Sequence, residues 1–439
     1  MALLPKEIFK AYDIRGIVGK TLTPEFVEII GRAIGSEAID RKQTEICVGF
    51  DGRLSGPELS NALIKGILKT GIHVINLGMV TTPMVYFSTF FLKTQSGVMV
   101  TGSHNPPDYN GLKMVLGSDT LSTEAIQKLY ARIEKESFYE GQGIEKKYDI
   151  ANDYIEAIKN HIHLKRPMKI VIDCGNGVAG AYARKIYESI GCSVEELFCD
   201  VDGTFPNHHP DPSEPHNLND VIAHLKKSDA ELGFAFDGDA DRFGACDSNG
   251  RFVDCHRLFA VLLKHLTNYR GLTGDVVRTV STTRALDKLC ANRGIRLIET
   301  PIGFKYICDL MLQGDVMIGG EESGGIGVKG HLPERDGVVM GLLILEAMAA
   351  AGKRLEDLID DVFAEVGPHE YTRNDMHPPA AAMPAINAAL LSFGETSFAG
   401  LAIHEIVRKD GTRLDFADGS WLLLRPSGTE PVVRVYAEA

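Results

Sequence analysis

The chain has 439 residues, a length that predicts about three domains at roughly 150 residues each. Hydrophobic residues make up 44% and charged residues 24%, a globular mixture that argues against long-range disorder or a fibrous architecture. Because 46 basic residues face 59 acidic ones, the net charge is −13, which argues against nucleic acid or an anionic membrane surface as the partner.

The first elements along the chain are predicted by helical periodicity and turn signals. Apolar residues recur at helical spacing over 24–34, after a threonine suited to be the N-cap and a proline at the first helical position. A strand is predicted over 46–50. The next helix begins at Ser55, whose spacing to Glu58 is that of a capping box, and ends near Gly71.

The alternation of strand and helix continues to about residue 320. Apolar runs that end in polar or glycine-rich turns occur at 169–173, 232–237, 275–280, 296–300 and 316–320. We therefore expect several α/β units in series, with ligand loops at the carboxyl ends of the strands. The longest apolar stretch, over 337–345, is far shorter than the ~20 residues of a membrane span.

The last part of the chain changes character. Four prolines between 367 and 384 predict a linker. A helical pattern over 385–393 and strand-like pieces broken by Asp-Gly turns then predict a smaller α+β unit. The eight cysteines are irregularly spaced without a CxxC pair, so we expect reduced, mostly buried thiols. The N-terminus has no signal-peptide pattern, and the cytoplasm is the expected location.

A strand starting at Val98 runs into turn-forming residues that present Ser103 at a sheet edge. Ser103 does not lie in a G-x-S-x-G elbow, which weighs against a serine–histidine–acid triad. Lys113 follows ten residues later and could fold back as a proton carrier or phosphate partner. His104 either ligates a metal or hydrogen-bonds within its turn, and the turn is favoured. An ordinary turn with a surface serine is the alternative interpretation.

Three carboxylates, those of Asp237, Asp239 and Asp241, follow an apolar strand at every second position. Strand alternation would place them on one side, where they would repel one another without a cation. Oxygen ligands of this kind suit Mg²⁺. An EF-hand loop is rejected because Arg242 and Ser248 occupy the positions that need glycine and glutamate. A solvated acidic turn remains the alternative.

Two later segments combine flexible backbone with polar groups. Around Glu321 and Ser323, glycines would let the backbone approach a ligand, and carboxylates could accept hydrogen bonds from sugar hydroxyls. Arg425 and Arg434 flank hydroxyls and turn amides that would suit a phosphate. The alternatives are a flexible surface turn and a hairpin with solvated arginines. Near the start, Arg15 alone is better explained by a surface salt bridge.

Four motifs in this order resemble those of the α-D-phosphohexomutases, and especially the bacterial phosphomannomutase/phosphoglucomutase group. They are Thr-Gly-Ser-His-Asn-Pro at 101–106, Asp-Gly-Asp-Ala-Asp-Arg at 237–242, Gly-Glu-Glu-Ser-Gly at 320–324 and Arg-Pro-Ser-Gly-Thr-Glu-Pro at 425–431. The resemblance implies an α/β fold class, with three related mixed α/β domains and a smaller C-terminal α+β domain around one central cleft. We divide these domains at 1–150, 151–255, 256–368 and 369–439.

The resemblance also implies roles for individual residues. Ser103 would be carried as phosphoserine, and a phosphoseryl oxygen with Asp237, Asp239 and Asp241 would hold one Mg²⁺. The residues implied near the transferring group are Lys113, Arg242 and His104. Those implied to bind the sugar or its second phosphate are Tyr12, Arg15, Lys305, Glu321, Ser323, Arg425, Ser427, Gly428, Thr429 and Arg434.

The implied activity is the interconversion of hexose 1-phosphate and hexose 6-phosphate, of mannose or glucose, with glucose or mannose 1,6-bisphosphate as activator. The implied protein is a monomer or weak homodimer that has no nucleic-acid or membrane partner. Two positions depart from the dual-specificity pattern, because Phe304 and Gly325 stand where histidines are expected. The general base therefore stays open among Lys113, Lys305 and His331.

Three other functions remain as alternatives. A phosphoglucosamine mutase would typically carry glutamine where this chain has Glu322. A metal-dependent phosphatase or phosphotransferase would use Ser103 once and release phosphate to water. A catalytically silent sugar-phosphate sensor would not need Ser103, Lys113 and three aspartates together.

Overall fold

The structure, a computed structural model, describes residues 5–10, 12–427 and 431–439. Four β-sheets follow one another along the described chain, and helices accompany each of them. We call the parts that carry them the first unit (14–147), second unit (151–253), third unit (255–366) and fourth unit (371–438). This arrangement confirms the predicted fold class of mixed α/β units followed by a smaller α+β unit.

The first unit has a mixed sheet in the order β1-β5-β4-β2-β3-β7, with β6 paired to β5. Its strands are β1 Ile14–Ile17, β2 Glu45–Phe50, β3 His73–Met79, β4 Gly97–Val100, β5 Tyr109–Leu116, β6 Asp119–Thr120 and β7 Glu145–Lys147. Its helices are α1 Pro24–Asp40, α2 Gly56–Leu68, α3 Thr82–Phe91 and α4 Thr123–Glu134. Strands β2, β3 and β4 run parallel, whereas β5 is antiparallel to both β4 and β1.

Two helix starts in the first unit test the predicted caps. Thr23 accepts a hydrogen bond from the Phe26 amide, as expected of an N-cap residue. The capping box predicted at Ser55 and Glu58 is wrong, because Ser55 has a helical backbone and its side chain does not cap α2. Instead, the Ser55 hydroxyl accepts a hydrogen bond from the Asn110 side chain on β5. The helix ends at Leu68, earlier than predicted.

The second and third units each have a parallel centre with an antiparallel edge. The second unit consists of α5 Ala151–His161, β8 Met168–Asp173, α6 Ala183–Ser189, β9 Cys192–Leu197, α7 Asn219–Leu225, β10 Leu232–Phe236, β11 Phe243–Asp247 and β12 Phe252–Val253. The third consists of α8 Cys255–Asn268, β13 Asp275–Thr279, α9 Ala285–Arg293, β14 Leu297–Thr300, α10 Phe304–Gln313, β15 Val316–Gly320, β16 Ile326–Val328, α11 Gly337–Ala351 and α12 Leu355–Val366. The sheet orders are β12-β11-β10-β8-β9 and β14-β13-β15-β16.

The apolar stretch at 337–345 forms the first part of α11, whose residues are buried from Gly337 to Met348. One continuous hydrophobic core surrounds this helix and joins residues of the first, second and third units. An apolar helix that is covered on all sides belongs in a protein interior. Within the described ranges, no helix combines the length and the apolar composition that crossing a membrane requires.

The fourth unit is an antiparallel sheet in the order β17-β22-β21-β20-β19-β18, with one helix. Its elements are β17 Tyr371–Met376, α13 Met383–Ser392, β18 Ser397–Phe398, β19 Leu401–Val407, β20 Thr412–Phe416, β21 Trp421–Pro426 and β22 Val433–Glu438. The linker predicted over 367–384 is therefore wrong for much of its length. Strand β17 lies within it and pairs with β22, so this segment is part of the sheet.

Candidate active site

Ser103 lies in a turn between β4 and β5, which we call the serine turn (residues 101–106). Its φ of +50° is in the left-handed region, which is uncommon for a residue other than glycine. The Thr101 hydroxyl accepts a hydrogen bond from the Ser103 amide at 2.8 Å. The Ser103 side chain is buried, and its Oγ donates to Asp237 Oδ2 at 2.9 Å.

A buried arginine, Arg53, binds the backbone of the serine turn. Its guanidinium donates to the backbone carbonyls of Ser103, Asn105, Pro106 and Tyr109 at 2.6–2.9 Å. Asp51, which also accepts from the Thr101 hydroxyl, lies 3.3 Å from Arg53 Nε. A guanidinium with five fixed donors suits this bundle of carbonyls better than a lysine would. The turn is therefore held in place by its backbone, and its strained φ is sustained by the surrounding contacts.

Asp237, Asp239 and Asp241, which we call the aspartate triad, occupy the turn that links β10 to β11. All three are buried, and one oxygen from each lies within 4.8 Å of the others. The expectation that strand alternation aligns them is wrong, because β10 ends at Phe236 and the acids lie in the turn. Gly238 has no room for a side chain, since a Cβ there would lie 2.4 Å from the Ser103 carbonyl oxygen.

Lys113 reaches the aspartate triad from β5 of the first unit. Its Nζ donates to Asp239 Oδ2 at 2.7 Å and to Asp241 Oδ2 at 2.6 Å. Thr82, at the start of α3, donates its hydroxyl to the same Asp239 oxygen at 2.5 Å. The first and second units therefore meet at this turn, where a hydroxyl, an ammonium and three carboxylates share one buried site.

The charges of the site are strongly coupled. Burial, reinforced by the other two aspartates, holds the pKa of Asp237 well above its usual range. Burial also acts on Asp239, but there the ion pair with Lys113 outweighs it and lowers the pKa. Burial opposes the charge on Lys113, and the two carboxylates outweigh it and raise its pKa. Lys113 is therefore a protonated group in this arrangement.

Arg242 and His104 lie beside the same turn. The backbone amide of Arg242 donates to Asp237 Oδ1 at 3.1 Å, and the side-chain Nε of Arg242 lies 3.8 Å from Asp241 Oδ1. His104 Nδ1 is 3.5 Å from the Ser103 hydroxyl. Burial, with the charge of Arg242, lowers the pKa of His104 to about 3, so the ring is neutral at pH 7. The structure thus places His104 within its turn and in contact with Ser103.

Residues 320–325 connect β15 to β16, and we call them the sugar loop after the role that the sequence resemblance implies for them. Gly324 has a φ of +89°, and a Cβ there would lie 2.7 Å from the carbonyl oxygen of Phe243. Phe243 is the residue that follows Arg242 in the chain. Glu321 Oε1 accepts from the Gly303 amide at 3.0 Å, and burial raises the pKa of Glu321 to about 7. Ser323 is half-buried in the same loop. The sugar loop therefore packs against the turn that carries the aspartate triad.

Strands β21 and β22 form a hairpin in which Arg425 and Arg434 are direct cross-strand partners, and we call it the arginine hairpin. Like charges in this position repel, and each has a nearby carboxylate: Arg425 Nε donates to Asp410 at 2.8 Å, and Arg434 Nε is 3.5 Å from Asp375. The Ser427 amide donates to the Val432 carbonyl and closes the loop. The predicted residues Gly428 and Thr429 lie outside the described residues.

Asp410 connects the arginine hairpin to the third unit. Its second oxygen accepts from the Ile302 amide at 2.9 Å, and the next residue, Gly303, is the one that bonds Glu321. The position of a Gly303 Cβ is 3.4 Å from the ring of Tyr12, which lies just before β1. The third unit, the fourth unit and the segment before β1 therefore meet between the sugar loop and the arginine hairpin.

Four family models match the chain in sequence. Their descriptions are phosphoglucomutase/phosphomannomutase α/β/α domain I at 6–140, domain II at 152–250, domain III at 254–366 and the C-terminal domain at 372–439. The chain belongs to the phosphoglucomutase/phosphomannomutase family. This finding confirms the resemblance predicted from the four motifs.

Relatives and solved structures agree with this family. A phosphoglucomutase of Neisseria meningitidis is 44% identical over 100% of this chain and 94% of its own length. A phosphomannomutase/phosphoglucomutase of Pseudomonas aeruginosa is 40% identical over 99% and 92%. The crystal structure of a Burkholderia thailandensis family protein superposes with a TM-score of 0.90 at 37% identity, covering 99% of this chain and 94% of that one. The chain is accordingly an enzyme of the phosphoglucomutase/phosphomannomutase family.

The structure gives a physical reason for one departure from the dual-specificity pattern. A Cβ at Gly325 would lie 2.3 Å from Cδ of Arg335, and the Arg335 guanidinium lies over the Phe304 ring at 5.4 Å. Arg335 Nη2 is 3.0 Å from Asp241, and its Nη1 is 3.8 Å from Glu321. The half-buried Arg335 side chain therefore occupies the space that a side chain at position 325 would need, and it links the aspartate triad to the sugar loop.

The remaining predicted residues take separate places near the site. Arg15 donates to the Asn105 side chain of the serine turn and pairs with Asp13. Tyr12 contacts the Tyr306 hydroxyl, and burial raises its pKa. Lys305 donates to Asp309 on its own helix. His331 Nε2 is 2.7 Å from Asp336, the N-cap of α11.

Three residues of this site were not predicted: Thr82, Arg53 and Arg335. Arg53 lies in an Asp-Gly-Arg sequence directly after β2, and Arg335 precedes the Asp-Gly that opens α11. A charged residue directly beyond a buried strand or before a buried helix is a usable signal for such a site. The partners of these arginines lie too far along the chain for sequence spacing to identify them.

The position of Arg335 leads to a prediction for the family departure. We expect Gly325→Ala to lower the unfolding free energy by about 1–3 kcal/mol, because the added Cβ must displace the half-buried, ion-paired side chain of Arg335. Urea denaturation measures the loss. Gly314→Ala at the exposed end of α10 is the matched control and should change stability much less. Equal stability of the two variants would show that Arg335 does not need a glycine at 325.

Proposed function

We propose that the protein interconverts hexose 1-phosphate and hexose 6-phosphate, of mannose or glucose, through a phosphoserine enzyme and a hexose 1,6-bisphosphate. One observation carries the proposal: the Ser103 hydroxyl donates to Asp237 at 2.9 Å inside a buried triad of aspartates that also binds Lys113. A hydroxyl held in a strained, well-supported turn beside three buried carboxylates suits a phosphoryl carrier next to a cation.

The aspartate triad fits a magnesium ion. Asp239 Oδ1 and Asp241 Oδ1 are buried without a hydrogen-bond partner, and the donor set is all oxygen. We propose that Asp237, Asp239 and Asp241 hold Mg²⁺ together with an oxygen of the Ser103 phosphoryl group. When bound, the ion would neutralise charge on the transferring phosphoryl group. Glucose or mannose 1,6-bisphosphate is the proposed activator, because it can phosphorylate Ser103.

Phosphoryl transfer would proceed in two steps of opposite direction. A free hydroxyl of the sugar phosphate attacks the phosphorus on Ser103, the bond to Oγ breaks, and a bisphosphate forms. After the sugar has reversed its orientation, Oγ of Ser103 takes the other phosphoryl group. Lys113, whose pKa is raised by two carboxylates, is the proposed proton donor to the leaving oxygen, and Arg242 adds positive potential.

Lys113 is also our assignment for the general base. As it gives its proton to the leaving oxygen it takes up the proton of the attacking hydroxyl, so each step ends with Lys113 protonated again. Lys305 and His331 are the other candidates, and both side chains are engaged, with Asp309 and Asp336. His104 would orient the Ser103 hydroxyl.

Two further groups of residues would hold the sugar phosphate. Glu321 and Ser323 are proposed to bind sugar hydroxyls, with Lys305 near them. The residues proposed for the phosphate that is not reacting are Tyr12, Arg15, Arg425, Ser427, Gly428, Thr429 and Arg434. Support comes from the cross-strand arginine pair, whose mutual repulsion an anion would relieve, and from the short path through Asp410 to Glu321.

We also propose domain boundaries after residues 150, 255 and 368. Each lies within two residues of a gap between the sequence ranges that the family models match, and between consecutive sheets. The protein would work in the cytoplasm on small-molecule sugar phosphates, as a monomer or weak homodimer without a nucleic-acid or membrane partner. The net charge of −13 supports the lack of a polyanionic partner.

The test is a direct assay of the purified protein with Mg²⁺ and a trace of glucose 1,6-bisphosphate, run in parallel on mannose 1-phosphate and glucose 1-phosphate. We expect the corresponding 6-phosphate from at least one sugar. Inorganic phosphate without isomerised sugar would instead identify a phosphatase. Glucosamine 1-phosphate is assayed beside these two sugar phosphates, and turnover of it alone would identify a phosphoglucosamine mutase. Binding without any turnover would identify a sensor.

The arginine hairpin leads to a prediction about substrate binding. We expect Arg425→Ala to raise KM for hexose 1-phosphate about 10- to 100-fold with a smaller effect on kcat, because a charge-assisted hydrogen bond to phosphate contributes about 1.5–3 kcal/mol. Steady-state kinetics at saturating activator measure both constants. Arg408→Ala, which changes an exposed arginine directly after β19, is the control and should leave KM unchanged. An unchanged KM for Arg425→Ala would remove this residue from the phosphate site.

A further inference from the structure

Two cysteines of the second unit lie side by side beyond the ends of neighbouring parallel strands. Strand β8 ends at Asp173 and β9 at Leu197, and the backbone pairing continues past both ends. The Cys174 amide donates to the Leu197 carbonyl at 3.1 Å. As a result, the Sγ atoms of Cys174 and Cys199 are 3.2 Å apart. Twenty-five residues separate them in sequence, so no CxxC spacing marks the pair.

The pair has the reach and the access that thiol oxidation requires. A disulfide needs the two sulfurs about 1 Å closer than they are, which a small change in side-chain torsion can supply. All eight cysteines are free thiols, and Cys199 is the one that is partly exposed. Hydrogen bonding with Cys199, together with burial, raises the pKa of Cys174. Cys199 is therefore the sulfur that an oxidant in solution meets first.

We propose that Cys174 and Cys199 form a reversible thiol–disulfide modification site, oxidised by low-molecular-weight disulfides such as glutathione disulfide. The Cys199 thiolate attacks one sulfur of the oxidant and releases one glutathione thiolate. The Cys174 thiolate then attacks Cys199 in this mixed disulfide and releases the second. Two protein thiols lose two electrons, and one glutathione disulfide becomes two glutathione thiols, which take up the two protons.

The loop after Cys174 supports the aspartate triad. The Gly177 amide donates to the Cys174 carbonyl at 2.7 Å, and the Val178 amide donates to the Gly238 carbonyl at 3.1 Å. A Cβ on Gly177 would lie 2.9 Å from the Gly238 Cα, so the two loops are in close contact. Gly238 lies between the first two aspartates of the triad. A displacement of the Cys174 backbone would therefore shift the proposed metal ligands.

The loop after Cys199 supports the serine turn. A Cβ on Gly203 would lie 2.7 Å from the Arg53 Cα, and the Arg53 guanidinium lies over the Phe205 ring at 5.0 Å. Arg53 in turn holds the Ser103 carbonyl. The loop after Cys174 thus contacts the turn that carries Asp237. The loop after Cys199 contacts the arginine that binds the Ser103 backbone. We infer that joining the two cysteines lowers turnover, a consequence that rests on the proposed function.

The test measures the bond and the activity separately. The full-length protein is incubated with glutathione disulfide, alkylated, and analysed by intact mass and by digestion with trypsin followed by Glu-C, which separates Cys192 from Cys199. We expect six alkylated cysteines instead of eight, and a cross-linked peptide pair containing Cys174 and Cys199. Dithiothreitol should reverse both. Mixed disulfides without this link, or links between other cysteines, would overturn the proposal whether or not the protein is a mutase.

Variants assign the effect to the pair. Cys199→Ser should keep the basal turnover, form no cross-link and resist the oxidant, whereas Cys192→Ser, at the start of β9, should behave like the wild type. Wild-type turnover should fall at least threefold on full oxidation and return with dithiothreitol. Unchanged turnover in fully cross-linked protein would overturn the coupling to the site. An equal loss in Cys199→Ser would show that another thiol is responsible.

Discussion

Replacing Ser103 with glycine or alanine is expected to lower mutase turnover by at least about 10³-fold while the protein stays folded. The reason is that the hydroxyl oxygen is the proposed carrier of the phosphoryl group, and the remaining contacts of residue 103 are made by its backbone. Positioning and cations alone cannot replace a missing nucleophile in a two-step transfer.

The two substitutions separate chemistry from folding. Ser103 has a φ of +50°, which glycine adopts at lower cost than serine or alanine. Ser103→Gly is therefore expected to unfold at or above the wild-type temperature, whereas Ser103→Ala keeps the strain. If both variants lose turnover to the same extent, the loss follows the hydroxyl and has no connection with stability.

Label transfer provides the decisive measurement. Protein incubated with glucose 1,6-bisphosphate carrying labelled phosphate should gain the mass of one phosphoryl group, located at Ser103 by peptide mapping. Neither variant should take up label, and Ser189→Ala, at the exposed end of α6, should behave like the wild type. A Ser103→Gly protein that still isomerises hexose 1-phosphate would remove Ser103 from the mechanism.

The local parts of this site could be predicted because each follows a strand directly. Ser103 comes after β4, and the aspartate triad comes after β10, so an apolar run followed by polar residues was enough to find them. Lys113 was expected to fold back, and it does so because β5 pairs antiparallel with β4, which places Lys113 opposite Met99. The argument for the triad from strand alternation failed, since a turn and its bound lysine bring the acids together.

Long-range packing accounts for what the sequence could not predict. Arg335 meets Asp241 only because the third unit packs on the second through α11, a contact that no local pattern encodes. The prolines around β17 predict a linker, but this segment forms an edge strand because it pairs with β22, which comes some sixty residues later in the chain. The Cys174–Cys199 pair likewise depends on the parallel pairing of β8 and β9.

Replacing Asp237 with asparagine is expected to abolish the stabilisation of the protein by Mg²⁺ while changing the stability of the metal-free protein little. Burial and the two neighbouring aspartates already raise the pKa of Asp237, so its negative charge is the least stable one of the triad without a cation. Asparagine retains an oxygen that can accept from Ser103. The substitution removes the charge that a divalent cation requires and replaces one of the two acceptor oxygens, which bind Ser103 and the Arg242 amide, by an NH2 group.

Thermal unfolding of the phosphorylated protein, with and without Mg²⁺, measures this effect. At a concentration 100 times the dissociation constant, a bound ion adds about 2.7 kcal/mol to the wild-type stability, and Asp237→Asn should lose most of that increment. Chelation should stop turnover and added Mg²⁺ should restore it, in the wild type and in the exposed control Asp229→Asn alike. A full Mg²⁺ response in Asp237→Asn would mean that the ion binds elsewhere, and that the triad is balanced by Lys113 and Arg335 alone.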